Sequence, residues 1–348
     1  MPAVVIYRLG SLGDTCVALP CFHKIEQAFP GHERVVLTNI PVSSKAAALE
    51  VILGPGKLID RAINYPANLR SLSAFRRLRS ELRATGSRTL IYLSANRGWW
   101  RMARDLVFFR LCGFTKIVGA PVTLDLLRNR IDADGVWEPE AERLARTLVE
   151  LGPIDLTDRR MWDLRLTEEE RHVGKQALVS LGEAPFFAIN MGGKVAPKDW
   201  GEQNWLALLD ELSEKMPSIA LVIVGAAEDA ERAERMLSRW PAKGLHLCGK
   251  VSPRECAAVL SDAEFFIGHD SGPLHLAAVT QTPSIGLFGN YNYPRKWHPY
   301  GEGHRAVHDM QGIAAIRVPE VFSAVSHVAK QEPVAKQEPC MNGDRALA

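Results

Sequence analysis

The 348-residue chain has little of what marks several large classes of function. It carries almost no net charge, +2, and no stretch that interleaves aromatic and basic residues, so nucleic acid is not an expected partner. Its six cysteines (Cys16, Cys21, Cys112, Cys248, Cys256, Cys340) form no C-x-x-C pair and no Cys/His ligand spacing. That excludes a structural zinc site and a disulfide framework, and leaves free thiols in a reducing cytosol as the expectation. No apolar run approaches a membrane span, and the run in "MPAVVIYRLGS" is too short for a signal peptide. The reading is a cytoplasmic protein.

What is present is ordinary in amount and regular in arrangement. Hydrophobic residues make up 47% and charged residues 24%, the balance of a soluble globular protein long enough for two domains, each with its own core. Short β-branched runs at 3–10, 33–39 and 88–94 alternate with helical patterns, among them the amphipathic stretch 68–86. The regularity fades over 120–165, where one helix (138–151) is followed by a Pro/Asp-rich stretch. It then resumes with strands at 186–193, 220–229, 264–270 and 284–289, separated by helices at 202–216, 228–239, 253–261 and 273–280. This predicts an α/β protein of two Rossmann-like domains with parallel sheets, over 1–160 and 161–327, binding ligand at strand C-termini across a cleft. The tail 328–348 repeats "VAKQEP" and is expected to be disordered, with no chemical role.

Four turns carry residues with chemistry. In "GHDSGPLHLAA" (268–278), Pro273 suits the first helical position, Gly272 the cap, and Ser271 precedes it. Such a start offers free backbone N–H groups to an anion, and a diphosphate is the natural guest. His275 adds a donor, and Asp270 orients the turn or accepts from a sugar hydroxyl; capping and packing alone are the competing explanation. The register G-x-x-S-G excludes a serine-hydrolase elbow. A metal would need more ligands than His269, Asp270 and His275 on one segment. In "RLGSLGD" (8–14), Gly10 and Gly13 bracket a tight loop, and Asp14 opens a helix, by default as a dipole partner. In "NMGGKVAPKDW" (190–200), Gly192 and Gly193 permit close backbone approach to a ligand, and Lys194 and Lys198 supply charge or are simply solvated. In "VGAAED" (224–229), Glu228 and Asp229 face a helix start.

The segment "DSGPLHLAAVTQTPSIGLFG" resembles the signature of glycosyltransferase family 9, the heptosyltransferases of lipopolysaccharide core synthesis. "NYNYPRKWHPYG" (290–301) stands where that family often has G-P-T-D-P-x-x-W-x-P-Y-G, keeping the Pro, the Trp and the Pro-Tyr-Gly. The resemblance extends through both halves and implies the GT-B architecture, with an inverting, metal-independent transfer; no DxD-type acidic cluster stands at the proposed donor site. It makes Asp14 the catalytic base and Lys198 the neutraliser of the departing diphosphate. Gly192, Gly193, Asp229, Asp270, Ser271, Gly272, Pro273 and His275 are assigned to the donor, with the register between Glu228 and Asp229 open. Gly13, Arg97 and Arg101 fall on the acceptor side, where Arg97, Arg101 and Arg104 would hold phosphate or carboxylate groups unless they are only solvated. No cofactor is implied beyond the co-substrate, ADP-heptose by resemblance. The implied acceptor is a glycan or lipid-linked glycan, with peripheral contact at the inner membrane surface. Two other readings share the architecture: a nucleotide-sugar 2-epimerase, and a non-catalytic nucleotide-sugar binding protein.

Overall fold

The computed structural model describes residues 1–39, 47–66, 71–95, 97–193 and 195–329. Lys194 and the repeated tail from residue 330 onward lie outside the described residues.

Two parallel sheets organise the chain. The first uses β1 (Ala3–Tyr7), β2 (Glu33–Thr38), β3 (Arg61–Asn64), β4 (Thr89–Tyr92) and β5 (Lys116–Val118), in the order β3-β2-β1-β4-β5. The second uses β6 (Phe186–Asn190), β7 (Ala220–Ile223), β8 (Gly244–His246), β9 (Phe266–His269), β10 (Ser284–Phe288) and β11 (Arg305–His308), in the order β11-β10-β9-β6-β7-β8. Every strand pair is parallel. The central strands are continuous apolar runs because helices cover both faces; β6 and β10 are buried from end to end.

All seven strands expected from the sequence are present, and most stop short of the expected end. β1 ends at Tyr7, β6 at Asn190 and β7 at Ile223, before the glycines at 10, 192 and 225 turn the chain. Four strands of three or four residues, β3, β5, β8 and β11, were not expected, and they are the four sheet edges. Helices over Trp99–Cys112, Glu168–Ala177 and Val318–Val328 were also not assigned from the sequence.

In each sheet, strand order reverses beside the first strand of the unit: between β1 and β4 in one, and between β6 and β9 in the other. At such a switch point the connections leave in opposite directions and open a crevice at the strand C-termini. The two crevices face each other. The helix Leu12–Val17 after β1 packs on the helix Gly272–Val279 after β9, and residues of both share one buried apolar cluster.

The domains are also pinned away from the crevices. Arg254, almost fully buried, donates to the carbonyls of Ile52 (2.5 Å), Leu164 (3.0 Å) and Arg165 (2.8 Å) and to both oxygens of Glu170 (2.6 and 2.9 Å). One guanidinium thus ties the first domain, the connecting chain and the second domain. Stacked pairs add to the seam: Trp137 on Tyr293 with centroids 4.2 Å apart, and Trp162 on Tyr300 at 5.4 Å.

Candidate active site

The rim of the first domain is built from β1 and the turn after it. Gly10, at φ +156°, lies against Asp14: a Cβ there would stand 2.5 Å from Asp14 Cβ. Asp14 Oδ2 accepts from the Ser11 N–H at 2.7 Å and from Ser11 Oγ at 2.9 Å, which fixes the carboxylate's orientation. Oδ1 accepts from no donor among the described residues. Beneath the turn lies Arg8, inaccessible to solvent, which donates to the carbonyls of Asp14 and Leu93. Burial lowers its affinity for its proton, and the charges of Asp14 and Glu140 oppose that. Arg8 is not among the residues expected from the sequence; its signal there is a cation directly following an apolar strand, a place where a buried charge needs specific partners.

The rim of the second domain joins the ends of β6 and β9. Ser271 begins the helix but makes no capping bond; its Oγ donates to Asn190 Oδ1 at 2.9 Å. Asn190 in turn donates to the Val224 carbonyl at 2.9 Å. No acidic residue lies in the helix's first turn, and Pro273 removes a donor that would have no partner. The remaining N–H groups of Gly272 and Leu274 belong to an uncapped, electropositive helix start.

Lys198, on the short turn Ala196–Lys198, reaches across to this start. Its Nζ lies 2.6 Å from Asp270 Oδ2 and 3.3 Å from the Asp270 carbonyl, and 4.6 Å from the centre of the Tyr291 ring. Asn292 donates its side-chain amide to the same Asp270 oxygen. Tyr291 and Asn292 lie where the sequence departs from the family's pattern, and these contacts show what the departing residues do. His269, fully buried, accepts at Nε2 from the Trp200 N–H (3.2 Å) and Trp205 Nε1 (3.3 Å), so its proton sits on Nδ1. Burial pushes His269 down to about 4. Burial also lowers His275, opposed by Asp270 and Asp14 and assisted by Lys198. Both imidazoles are neutral at pH 7.

Asp229 has a packing position. A Cβ on Gly192 would lie 2.2 Å from Asp229 Oδ2, and one on Gly225 would lie 2.6 Å from it; the same oxygen accepts from the Ala226 N–H at 2.9 Å. Glycine at 192 is therefore required by this carboxylate. At Gly193 a Cβ would meet, among the described residues, Val195 O and Lys198 Cβ at 3.8 and 3.9 Å, ordinary contacts that do not demand glycine there.

The two rims meet. A Cβ on Gly13 would lie 2.7 Å from His275 Cδ2, and one on Gly272 would lie 2.6 Å from Leu12 Cδ2. The carboxylate turn of one domain and the open helix start of the other are thereby opposed across a narrow seam. Gly13 belongs to that seam, set against His275.

The expected acceptor-side arginines divide. Arg97 donates to Tyr7 Oη at 2.7 Å and stands 3.7 Å from Asp105. Asp105, buried, accepts from Tyr7 Oη (3.4 Å), Tyr92 Oη (3.1 Å) and two nitrogens of Arg104 (3.2 and 2.7 Å). Tyr7 and Tyr92 end β1 and β4, so this cluster holds Arg97 at the same switch point as Asp14. Burial, reinforced by the Asp105 charge, raises both phenols. Arg101 is exposed on the helix surface.

Comparison with known proteins identifies the fold and the family. The chain is 25% identical over 316 residues to lipopolysaccharide heptosyltransferase 1 of Pseudomonas aeruginosa, covering 83% of this chain and 79% of that protein. It is 26% identical over 180 residues to lipopolysaccharide heptosyltransferase 3 of Escherichia coli, covering 48% of this chain and about half, 52%, of that protein. Among solved structures it superposes on a family 9 glycosyltransferase from Veillonella parvula with a TM-score of 0.71 at 20% identity, covering 94% and 97% of the two chains. It also superposes on the Escherichia coli ADP-heptose LPS heptosyltransferase II, with a TM-score of 0.65 at 15% identity, covering 94% and 98%. These neighbours fix the fold as GT-B. The model of glycosyltransferase family 9 (heptosyltransferase) matches residues 112–317, well over half of the chain and the whole of the second rim. The protein belongs to glycosyltransferase family 9.

Proposed function

We propose that this enzyme transfers a sugar from a nucleoside diphosphate donor to a hydroxyl of a lipopolysaccharide-core acceptor, with inversion at the anomeric carbon. The observation that carries the reading is the opposition of Asp14 to the uncapped helix start at Gly272. A sugar hydroxyl is a weak nucleophile, and its proton must leave as the C–O bond forms. Asp14 Oδ1 takes that proton while the hydroxyl oxygen attacks the anomeric carbon. The bond to the diphosphate oxygen breaks on the opposite face, and its electron pair stays with the phosphate. Negative charge grows there, where the N–H groups at Gly272, the neutral His275 and Lys198 stand; interactions that strengthen with that charge lower the barrier.

The donor in this reading is ADP-heptose: the matched family is one of heptosyltransferases, and one of the structures on which the chain superposes is an Escherichia coli ADP-heptose LPS heptosyltransferase. Asp270, held by Lys198 and Asn292, is positioned to accept from a donor hydroxyl. Metal independence belongs to the same reading, because fixed cationic and dipolar groups serve the leaving group; unchanged turnover in EDTA is its check.

The deciding experiment follows transfer from ADP-, GDP- and UDP-sugars to an isolated core acceptor, with thermal shifts recorded for each nucleotide. Selective stabilisation by ADP and acceptor-dependent release of ADP are the expected results. Consumption of donor without acceptor, yielding an epimer, would establish the isomerase reading instead. Stabilisation without any turnover would establish a binding protein.

A further inference from the structure

Among the described residues, six α-helices begin on a serine or threonine, and one of them is treated unlike the rest. Ser71, Thr123, Thr167 and Ser252 each accept, at the side-chain oxygen, the backbone N–H three residues on, at 3.1, 3.3, 3.2 and 3.3 Å. That bond is the ordinary N-cap, and it consumes a donor that the helix start would otherwise offer. Ser11 is served from the other direction, by the carboxylate of Asp14 three residues on. Ser271 has neither arrangement, although its backbone is extended (φ −149°, ψ 170°) as a cap requires. Proline in the first turn is not the obstacle, because Pro253 directly follows Ser252 and the cap there is made.

The cause lies 81 positions away, at the end of β6. Asn190, 2% exposed, sits on the strand that lies between β7 and β9. Its Nδ2 donates to the Val224 carbonyl, just past β7, at 2.9 Å, and its Oδ1 accepts from Ser271 Oγ, just past β9, at 2.9 Å. The Val224 carbonyl can only accept, so the amide nitrogen must face it. That leaves the amide oxygen for Ser271, whose hydroxyl must donate. Turning the amide over would strand both contacts in the interior, which fixes the side chain in this sense. At the helix, Pro273 has no N–H, so the Leu274 N–H is the first-turn donor that a released Ser271 hydroxyl would cap.

We propose that Asn190 is a positioning residue of the donor site: by holding the Ser271 hydroxyl, it keeps the Leu274 N–H free for the diphosphate. This rests on the donor reading above and adds the residue that maintains the open helix start. Asn190 acts through Ser271. The site is built by competition, a buried amide retaining a hydroxyl that the helix would otherwise take for itself.

The test is a double-mutant cycle on the full chain, with ADP affinity read by calorimetric titration and stability read as Tm. Asn190→Ala releases the hydroxyl to cap Leu274, so ADP binding should weaken about fivefold or more. In the Ser271→Ala background no hydroxyl remains, and the same step should change ADP affinity by less than about twofold. The double variant should also bind ADP more tightly than Asn190→Ala alone. Tm should fall on removing Asn190 in both backgrounds, because the Val224 carbonyl loses its donor in each. If Asn190→Ala does not fold, Asn190→Ser, which leaves a hydroxyl for that carbonyl, carries the same cycle. An equal loss of ADP affinity in both backgrounds overturns the proposal and leaves Asn190 a packing residue. Unchanged affinity in Asn190→Ala overturns it as well. A double variant weaker than Asn190→Ala does so too, since it would make the hydroxyl a direct ligand contact. In each of these cases wild-type ADP binding persists and the transfer reading stands; a wild type that binds no ADP would overturn that reading and this proposal together.

Discussion

The two rims are the same local device, a strand, a turn and a helix, set up with opposite polarity. After β1 the helix start is closed by its own side chain: Asp14 accepts from Ser11, and an acid stands in the first turn. After β9 the helix start is left open: Ser271 turns its hydroxyl to Asn190, proline and glycine fill the next positions, and the first turn carries no acid. A buried cation, Arg8, supports the first turn from below, and neutral histidines support the second. The lesson is that a helix N-terminus is an anion site only when the sequence declines to cap it. Capped by a carboxylate, the same geometry presents a proton acceptor.

The largest effect should come from abolishing the polarity of the first rim. Asp14→Asn keeps the shape and removes the proposed base, so turnover should fall by about 10²–10⁴ while ADP affinity stays within about twofold. Retained turnover would remove Asp14 from the chemistry. Next is the second rim's cation. Lys198→Ala should lower kcat by about 10–10³ and weaken ADP binding, since in the proposed reaction the ammonium serves both bound donor and leaving group; kinetics and nucleotide titration together check it. Unchanged values in both would end its assignment.

The seam itself can be tested by Gly13→Ala, whose methyl would stand 2.7 Å from His275 Cδ2. Separating the helices or turning the imidazole should cost about 1–3 kcal/mol, read as a lower Tm and slower transfer. The smallest effect divides the domains by acid. His269, His298 and His304 are each pushed by burial to about 4, and all lie in the second domain. The unfolded chain takes up protons near 6.5 that the folded chain refuses, so stability is full above that pH and is lost as pH falls toward 4. For the solvent-inaccessible His269 the loss is roughly 2 kcal/mol at pH 5. Calorimetry at pH 7 and 5 should show the second domain's transition moving down further than the first; equal shifts would deny the difference.

How much of this was legible in the sequence depends on whether the cause was local. The central strands were, because burial on both faces makes them unbroken apolar runs such as "FFAIN" and "SIGLF". Edge strands such as "RAIN" and "GLH" were not, since half-exposed strands of three or four residues carry no such run. The helix Trp99–Cys112 was hidden for a related reason: apolar residues on its outer stripe blur the periodicity that burial would impose. Glycine and proline announced the turns holding Asp14, Lys198 and Asp270. What those side chains meet was not announced. The pairs Asp270–Lys198, Asp270–Asn292 and Ser271–Asn190 span 72, 22 and 81 positions, and only the closed sheet brings them together.

The pairing of Lys198 with Asp270 has a bearing on how the enzyme cycles. In the proposed reaction a diphosphate would meet an ammonium already matched to Asp270, and would have to share it with that carboxylate or displace it. The affinity it gains is the difference between two attractions, which tempers its grip. On that reading the same internal rival would reclaim the cation once the sugar has moved, hastening departure of the spent nucleotide. A resting contact of this kind acts as a return spring for product release.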